Sequence, residues 1–277
     1  MEIFIPNIDI QIKEKSINVK YIKNIKELES KLDNCLKIKP DENYIDKKID
    51  VDSIKCKDSL YYEKIVSKAI EEINQNQYDK VILSRKINLD ARVCMFESYI
   101  KGIEENNPAR SYCLKVDDLE IMGFSPETVI EVDKNRTVKT FPLAGTRAFS
   151  ANAELNRKLK QDLMGDAKEI AEHSVSVKLA FEELEKVCEK ESICVYRFLE
   201  ILERGSVQHL ASKLRGKIKK EFNEWDALTA LFPAVTASGI PKKESIAAID
   251  RLEKDKRGVY SGGIIKMEGI HKQRFFL

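Results

Sequence analysis

Two strand–turn–strand patterns follow one another in the middle of the chain, and they constrain the fold more than any other feature. Residues 112–116 and 119–123 flank an Asp-Asp turn, and residues 128–132 and 137–141 flank the turn Asp-Lys-Asn-Arg. Strands joined by so few residues pair antiparallel, because a parallel pair needs a crossover of a dozen residues or more. The sequence therefore predicts two successive β-hairpins.

Helical patterns surround these hairpins. Apolar residues recur at helical spacing in five segments: 59–75, 151–164, 168–188, 225–231 and 241–252, the last opened by Pro241 in its first turn. Further strands are predicted over 80–89, 195–198 and 206–218. This order of elements predicts an α+β fold, a sandwich rich in antiparallel sheet with outer helices, and not alternating β-α-β units.

The chain divides by pattern into two parts. Residues 1–57 are rich in Lys, Ile, Asn and Asp and carry little periodicity beyond one short helix near 25–36. We expect a peripheral N-terminal segment there and the main domain at 58–277.

Charge and composition exclude several classes of function. The 48 basic and 46 acidic residues nearly cancel, which gives no reason to expect nucleic-acid or membrane-surface binding. No apolar run approaches the roughly 20 residues of a membrane span, and the start lacks a secretory signal pattern. The six cysteines never form a C-x-x-C pair, which favours free thiols, buried as small hydrophobic residues, in a reducing compartment. We expect a cytoplasmic protein.

Two residues are candidates for acid–base chemistry. Lys80 begins a predicted strand and shares a face with Ser84, and a buried lysine against an apolar wall has a lowered pKa. Glu127 lies in the turn between the hairpins, a common position for catalytic side chains. An exposed strand lysine and a solvated turn glutamate remain the alternatives.

Other residues could bind a metal or an anion. Glu169 and Glu172 stand three apart on a helix, so their carboxylates share a side and form either half of a magnesium site or a solvated face. Gly145 and Thr146 follow a strand, where a glycine allows a ligand to approach the backbone closely. His209 lies in a strand-like segment and, taken singly, is typical of a core histidine.

Six motifs occur in an order and spacing that resemble one family, the chorismate-binding enzymes. They are Y-D-K-V-I-L-S-R, G-F-S-P-E, P-L-A-G-T-R-A-F, K-E-I-A-E-H, G-S-V-Q-H-L and F-P-A-V-T-A-S-G-I-P-K. That family includes the anthranilate, aminodeoxychorismate, isochorismate and salicylate synthases. The last two motifs, with R-G-V-Y-S-G at 257–262, look most like salicylate synthases of siderophore pathways. The resemblance covers residues 59–263 and implies the fold of anthranilate synthase component I.

The resemblance also implies roles for individual residues. Lys80 matches the base that activates water, and Glu127 matches the acid that protonates the departing hydroxyl. The remaining matches are Glu169 and Glu172 for half of the Mg²⁺ site, Gly145 and Thr146 for the loop that contacts the carboxylate, and His209, Thr236 and Tyr260 for the substrate pocket.

The implied reaction is magnesium-dependent conversion of chorismate to isochorismate, followed by elimination of pyruvate to give salicylate. An isochorismate synthase that stops before pyruvate loss is the nearest alternative.

The family pattern ends after Ile265, and no second Glu-x-x-Glu helix follows. We therefore expect a fold that is incomplete at its C-terminal end. The resemblance leaves open an inactive or split fragment that needs a separately encoded C-terminal piece.

Overall fold

The structure is a computed structural model, and it describes residues 8–13, 16–21, 50–89, 93–108, 110–267 and 273–276. The chain forms two compact units, Met1–Ile49 and Asp50–Leu277. In the first unit, strands β1 (Ile8–Lys13) and β2 (Ser16–Tyr21) form an antiparallel hairpin with Ile8 opposite Tyr21. The helix predicted near 25–36 lies outside the described residues.

The described strands of the second unit include a seven-stranded antiparallel sheet. Its members are β6 (Thr128–Val132), β7 (Thr137–Phe141), β8 (Leu143–Ala148), β9 (Cys194–Arg204), β10 (Val207–Lys217), β12 (Ile264–Met267) and β13 (Gln273–Phe276). The strand order is β12-β13-β6-β7-β10-β8. Strand β10 pairs with β7 and β8 along one side and with β9 along the other.

Two smaller pairs make up the other described strands of this unit. Strands β4 (Arg110–Val116) and β5 (Leu119–Ser125) form a hairpin, and β3 (Lys80–Val81) pairs with β11 (Gly239–Ile240). Both predicted hairpins are thus confirmed.

The strand predicted over 80–89 is wrong beyond Val81. The N–H of Ile82 still donates to the carbonyl of Ser238, next to β11, but the backbone groups that follow bond to side chains. The carbonyl of Leu83 accepts from the Tyr62 hydroxyl at 3.1 Å, and the N–H of Ser84 donates to Glu253 at 2.6 Å. The alternating pattern in the sequence cannot reveal such a replacement.

Seven helices occur within the described ranges: α1 (Val51–Cys56), α2 (Ser59–Asn74), α3 (Met95–Glu105), α4 (Ala153–Gly165), α5 (Ala167–Val187), α6 (Glu224–Leu231) and α7 (Lys242–Leu252). The sequence pattern missed α1 and α3. Pro241 precedes α7 as its N-cap and does not lie within the first turn. None of these helices is long and apolar enough to cross a membrane.

Helix α5 covers the central sheet and forms the core with it. The Asp166 side chain caps the start of α5 by accepting from the N–H groups of Lys168 and Glu169 at 2.9 and 3.2 Å. Leu184 of α5 and Leu214 of β10 are fully buried in one cluster with neighbouring strand residues. Each such leucine contributes about 1.5–3 kcal/mol through burial. The α+β architecture of antiparallel sheet and helices is confirmed.

The five cysteines within the described residues are free thiols: Cys56, Cys94, Cys113, Cys188 and Cys194. The expectation that they are buried holds for Cys188 and is wrong for Cys56 and Cys113, which are exposed.

Candidate active site

Glu127 is buried in the turn between β5 and β6, with 9% of its surface exposed. The Thr236 hydroxyl donates to Glu127 Oε2 at 3.1 Å, and the backbone N–H of Leu143 also donates to the carboxylate. Burial raises the pKa of Glu127 to about 7, although both hydrogen bonds act in the opposite direction. Glu127 is therefore not a solvated turn residue, and its carboxyl can hold a proton near neutral pH.

Lys80 lies beside the segment that carries Thr236. Its backbone pairs with Ile240 across β3 and β11, and the N–H of Ile82 donates to the carbonyl of Ser238 at 2.9 Å. The Lys80 side chain is half-buried. Within the described part of the chain, its ammonium group has no carboxylate within 4.0 Å. The candidate base and the threonine that contacts the candidate acid thus belong to adjacent, hydrogen-bonded segments.

Gly145 brings the backbone of β8 against Glu169. Its φ angle of +87° lies in the region that favours glycine, and a Cβ placed there would lie 3.0 Å from Leu210 and 3.3 Å from Glu169 Oε2. The missing side chain therefore leaves the space that the Glu169 carboxylate occupies.

The next residue contacts His209. Thr146 lies opposite His209 in the β8–β10 register, and its hydroxyl is 2.9 Å from His209 Nδ1. Burial lowers the pKa of His209, and the nearby positive charge of Arg204 lowers it further. Four predicted site residues, Gly145, Thr146, Glu169 and His209, thus come together around β8.

Strand β8 also connects this group with the candidate acid. Leu143 donates its N–H to Glu127, and Gly145 two residues later lies against Glu169. One strand therefore contacts both the candidate acid and the first predicted metal ligand.

Arg147 holds several carboxylates near the start of α5. Its guanidinium lies 2.6 Å from both Asp162 and Asp166 and 3.3 Å from Glu169 Oε1. The side chain of Glu169 is 15% exposed. Sequence reasoning did not single out Arg147, because its partners come from two helices whose packing the pattern does not specify.

The predicted magnesium ligands can supply two carboxylates. Oε1 of Glu169 faces Arg147, whereas Oε2 faces Gly145, and Glu172 is exposed one turn further along α5. The described residues contain no group of three or more His, Cys, Asp or Glu side chains that could hold a metal. The pair matches the few protein ligands that Mg²⁺ takes when water or substrate oxygens complete its shell.

The sequence pattern also did not indicate a role for His173, which links α5 to β8 by a hydrogen bond. Its Nδ1 lies 3.1 Å from the carbonyl of Ala144, which can only accept, so Nδ1 carries the proton. Nε2 then accepts from the Ser212 hydroxyl at 2.6 Å, and Ser212 accepts from the N–H of Leu199 at 3.2 Å. Burial lowers the pKa of His173, which keeps the ring neutral. The sequence showed a histidine on a helix but not its partners.

Tyr260 lines a groove of about 1040 Å³ and is 60% exposed. Pro126 and Ala237, the neighbours of Glu127 and Thr236, also line this groove. Glu127 and Thr236 themselves line a cavity of about 30 Å³. Residues next to the acid and next to Thr236 in the sequence therefore border a groove that is large enough for a small molecule.

Comparison with known proteins identifies the family. Residues 10–275 match the model of the chorismate binding enzyme family. The chain belongs to the chorismate-binding enzymes. The six ordered motifs of the sequence had indicated this family.

The chain is similar to members with different products. It is 41% identical over 208 residues to a salicylate synthase of Mycolicibacterium paratuberculosis, an alignment that covers 75% of this chain and 46% of the relative. It is 36% identical over 203 residues to anthranilate synthase component 1 of Archaeoglobus fulgidus, covering 73% of this chain and 48% of the relative. The chain thus spans about half the length of these relatives.

A solved structure supports the fold. Anthranilate synthase component I from Streptococcus pneumoniae superposes with a TM-score of 0.75 at 26% identity. The superposition covers 95% of this chain and 60% of that protein.

Proposed function

We propose that this chain carries the acid–base residues of an enzyme that adds water to chorismate to give isochorismate and then eliminates pyruvate to give salicylate. The observation that carries the proposal is the buried carboxyl of Glu127, whose pKa of about 7 suits a general acid at neutral pH. Membership of the chorismate-binding family supplies the substrate class.

Glu127 is the proposed acid. Below about pH 7 its carboxyl is neutral and can donate a proton to the ring hydroxyl as that group leaves. The Thr236 hydroxyl at 3.1 Å orients the carboxyl. The departing hydroxyl then leaves as water and not as hydroxide, which removes the cost of a strongly basic leaving group.

Lys80 is the proposed base. In its neutral form it takes a proton from the incoming water as the water oxygen bonds to the ring. One water molecule enters and one leaves, so this step is an isomerisation and the atoms balance. A lysine here resembles the members of the family that use water, whereas other members use ammonia.

Glu169 and Glu172 are the proposed protein ligands of Mg²⁺, which would neutralise the ring carboxylate when bound. Gly145 leaves room for the Glu169 carboxylate, and Arg147 fixes its other oxygen at 3.3 Å. Thr146, the residue after Gly145, would contact the substrate carboxylate. His209, whose Nδ1 is 2.9 Å from the Thr146 hydroxyl, would line the substrate pocket.

The second step requires little from the protein. As pyruvate leaves, the ring hydrogen moves to the methylene carbon of the enolpyruvyl group, and the ring becomes aromatic. A bound shape that brings these two carbons together is sufficient. The groove bordered by Pro126, Ala237 and Tyr260 is the proposed location of the enolpyruvyl group.

Product analysis tests the proposal. Purified protein is incubated with chorismate and Mg²⁺, with and without ammonium salt, and the products are separated by chromatography. We expect salicylate and pyruvate in equal amounts, independent of ammonium. Accumulating isochorismate would show that the second step is missing. Anthranilate formed only with ammonium would overturn the water-adding mechanism.

A further inference from the structure

Arg257 lies after α7 and joins three segments of the chain. Its Nε and one terminal nitrogen donate to the two oxygens of Glu253 at 2.9 and 2.6 Å. It also donates to the carbonyl of Ala237 at 2.9 Å and to the carbonyl of Ile82 at 2.5 Å. One guanidinium therefore fixes two backbone segments relative to each other.

Glu253 holds the guanidinium in place and adds a further contact. Its side chain is 5% exposed, and its Oε1 accepts from the N–H and the hydroxyl of Ser84 at 2.6 and 3.0 Å. Burial alone would raise the pKa of Glu253, but hydrogen bonds from Arg257 and Ser84 keep it below its ordinary value. The ion pair therefore stays charged and fully hydrogen-bonded, as a buried pair requires.

The segments that Arg257 joins carry the proposed acid–base residues. Ala237 follows Thr236, whose hydroxyl contacts Glu127, and Ile82 lies two residues after Lys80. We infer that Arg257, held by Glu253, is a positioning residue that sets the Thr236 hydroxyl against Glu127 and keeps the Lys80 segment beside it. Its relevance to catalysis rests on the function proposed above.

Arg251, in the last turn of α7, offers a matched control. It makes two hydrogen bonds to Glu72 at 2.7 and 3.0 Å, and Glu72 also accepts from Tyr78 at 2.7 Å. This pair joins α7 to α2 and contacts neither Ala237 nor Ile82. Both arginines thus bind a buried glutamate, but only Arg257 reaches the segments of the site.

Carbon-13 NMR of protein labelled at glutamate tests the inference, with the Glu127 resonance assigned from Glu127→Gln. Thr236→Val removes a hydrogen bond that lowers the pKa of Glu127, so its titration midpoint rises by about one pH unit. We expect Arg257→Met to raise the midpoint too and Arg251→Met to leave it unchanged. Because Arg257 acts through Thr236, the double variant should titrate like Thr236→Val alone.

An unchanged or lowered midpoint in Arg257→Met would overturn the inference, as would a double variant in which the two shifts add. Thermal melts establish that each variant is folded. Should Arg257→Met not fold, Arg257→Lys serves instead, since an ammonium keeps the charge but cannot bond to both carbonyls and the carboxylate at once. It should raise the midpoint as well, and an unchanged midpoint would contradict the inference.

A turnover assay adds a second readout. Misplaced catalytic groups cost on the order of 100-fold in rate, so kcat for chorismate should fall by about this factor in Arg257→Met with KM kept, whereas Arg251→Met keeps both values. The titration needs no substrate. A wild-type protein that does not turn over chorismate would therefore count against the proposed function and leave the positioning result intact.

Discussion

The carboxyl group of Glu127 and those of Glu169 and Glu172 lie in opposite kinds of environment. Glu127 is buried with two neutral hydrogen-bond donors, so burial dominates and its pKa rises to about 7. Glu169 lies at the start of α5 beside Arg147, and Glu172 is exposed. In the proposed mechanism, the region around Glu127 supplies the acid and the region around Glu169 and Glu172 supplies the cation ligands. The same residue type would thus serve two purposes, depending on what surrounds it.

Removal of the proposed acid should have the largest effect on activity. Glu127→Gln keeps the shape but cannot donate a proton, and general acids contribute about 100- to 10,000-fold to rate. We expect turnover of chorismate to fall within this range while the circular dichroism spectrum stays unchanged. Glu120→Gln, in the neighbouring hairpin strand β5, is the control. Equal rates for both variants would remove Glu127 from the mechanism.

The pH dependence of the free energy of unfolding reports the burial of Glu127, and it requires no substrate. Because the folded-state pKa of Glu127 is raised from 4.5 to about 7, its neutral form favours the folded state. At about 1.4 kcal/mol per pH unit this contributes about 3 kcal/mol, fully present below pH 4.5 and lost as pH rises through 7. Urea unfolding from pH 4 to 8 should show this loss in the wild type relative to Glu127→Gln. Parallel curves would contradict the raised pKa.

Substitution of Gly145 should have a smaller effect, and it tests whether β8 leaves room for the Glu169 carboxylate. Gly145→Ala forces a side chain into a left-handed conformation, which costs about 1–2 kcal/mol, and places a methyl group 3.3 Å from Glu169 Oε2. We expect a lower free energy of unfolding and weaker magnesium dependence of activity. Gly165→Ala is the matched control, because a Cβ there meets nothing within 4 Å. Equal losses of stability in both variants would argue against a special role for Gly145.

Substitution of one proposed metal ligand should have the smallest effect. It tests whether Glu169 and Glu172 bind Mg²⁺ or only form a solvated helix face. Glu172→Gln should raise the magnesium concentration for half-maximal activity by about tenfold, a size seen even when a partner of a metal ligand is removed. Glu182→Gln, exposed on the same helix, should leave it unchanged. If both variants behave alike, the pair on α5 does not bind the metal.

The sequence predicted the hairpins and long helices because short turns and apolar periodicity depend on neighbouring residues alone. The motifs also identified the family, and Glu127, Gly145 and Glu169 were singled out before their contacts were known. The residues that hold them in place were not. His173, Arg147 and the pair of Arg257 with Glu253 bond to groups far away in the sequence, and no local pattern specifies those partners.

The segment after Val81 is a case in which a local sequence pattern predicted a strand that the structure lacks. Its alternation of side chains predicted a strand, but a strand needs a partner along its whole length. After the bond from the N–H of Ile82 to Ser238, the backbone groups of residues 82–84 bond to the side chains of Tyr62, Glu253 and Arg257 instead. An alternating pattern shows which side chains are apolar, but it does not show which groups form hydrogen bonds with the backbone.

In the proposed mechanism, water is the nucleophile, and Glu127 and Lys80 transfer the protons. Incubating the protein with chorismate in water enriched in oxygen-18 tests this directly by mass spectrometry of the product. We predict salicylate with one heavy oxygen in its phenolic hydroxyl. Salicylate without the label, or a product that carries nitrogen in place of that oxygen, would show that water is not the nucleophile.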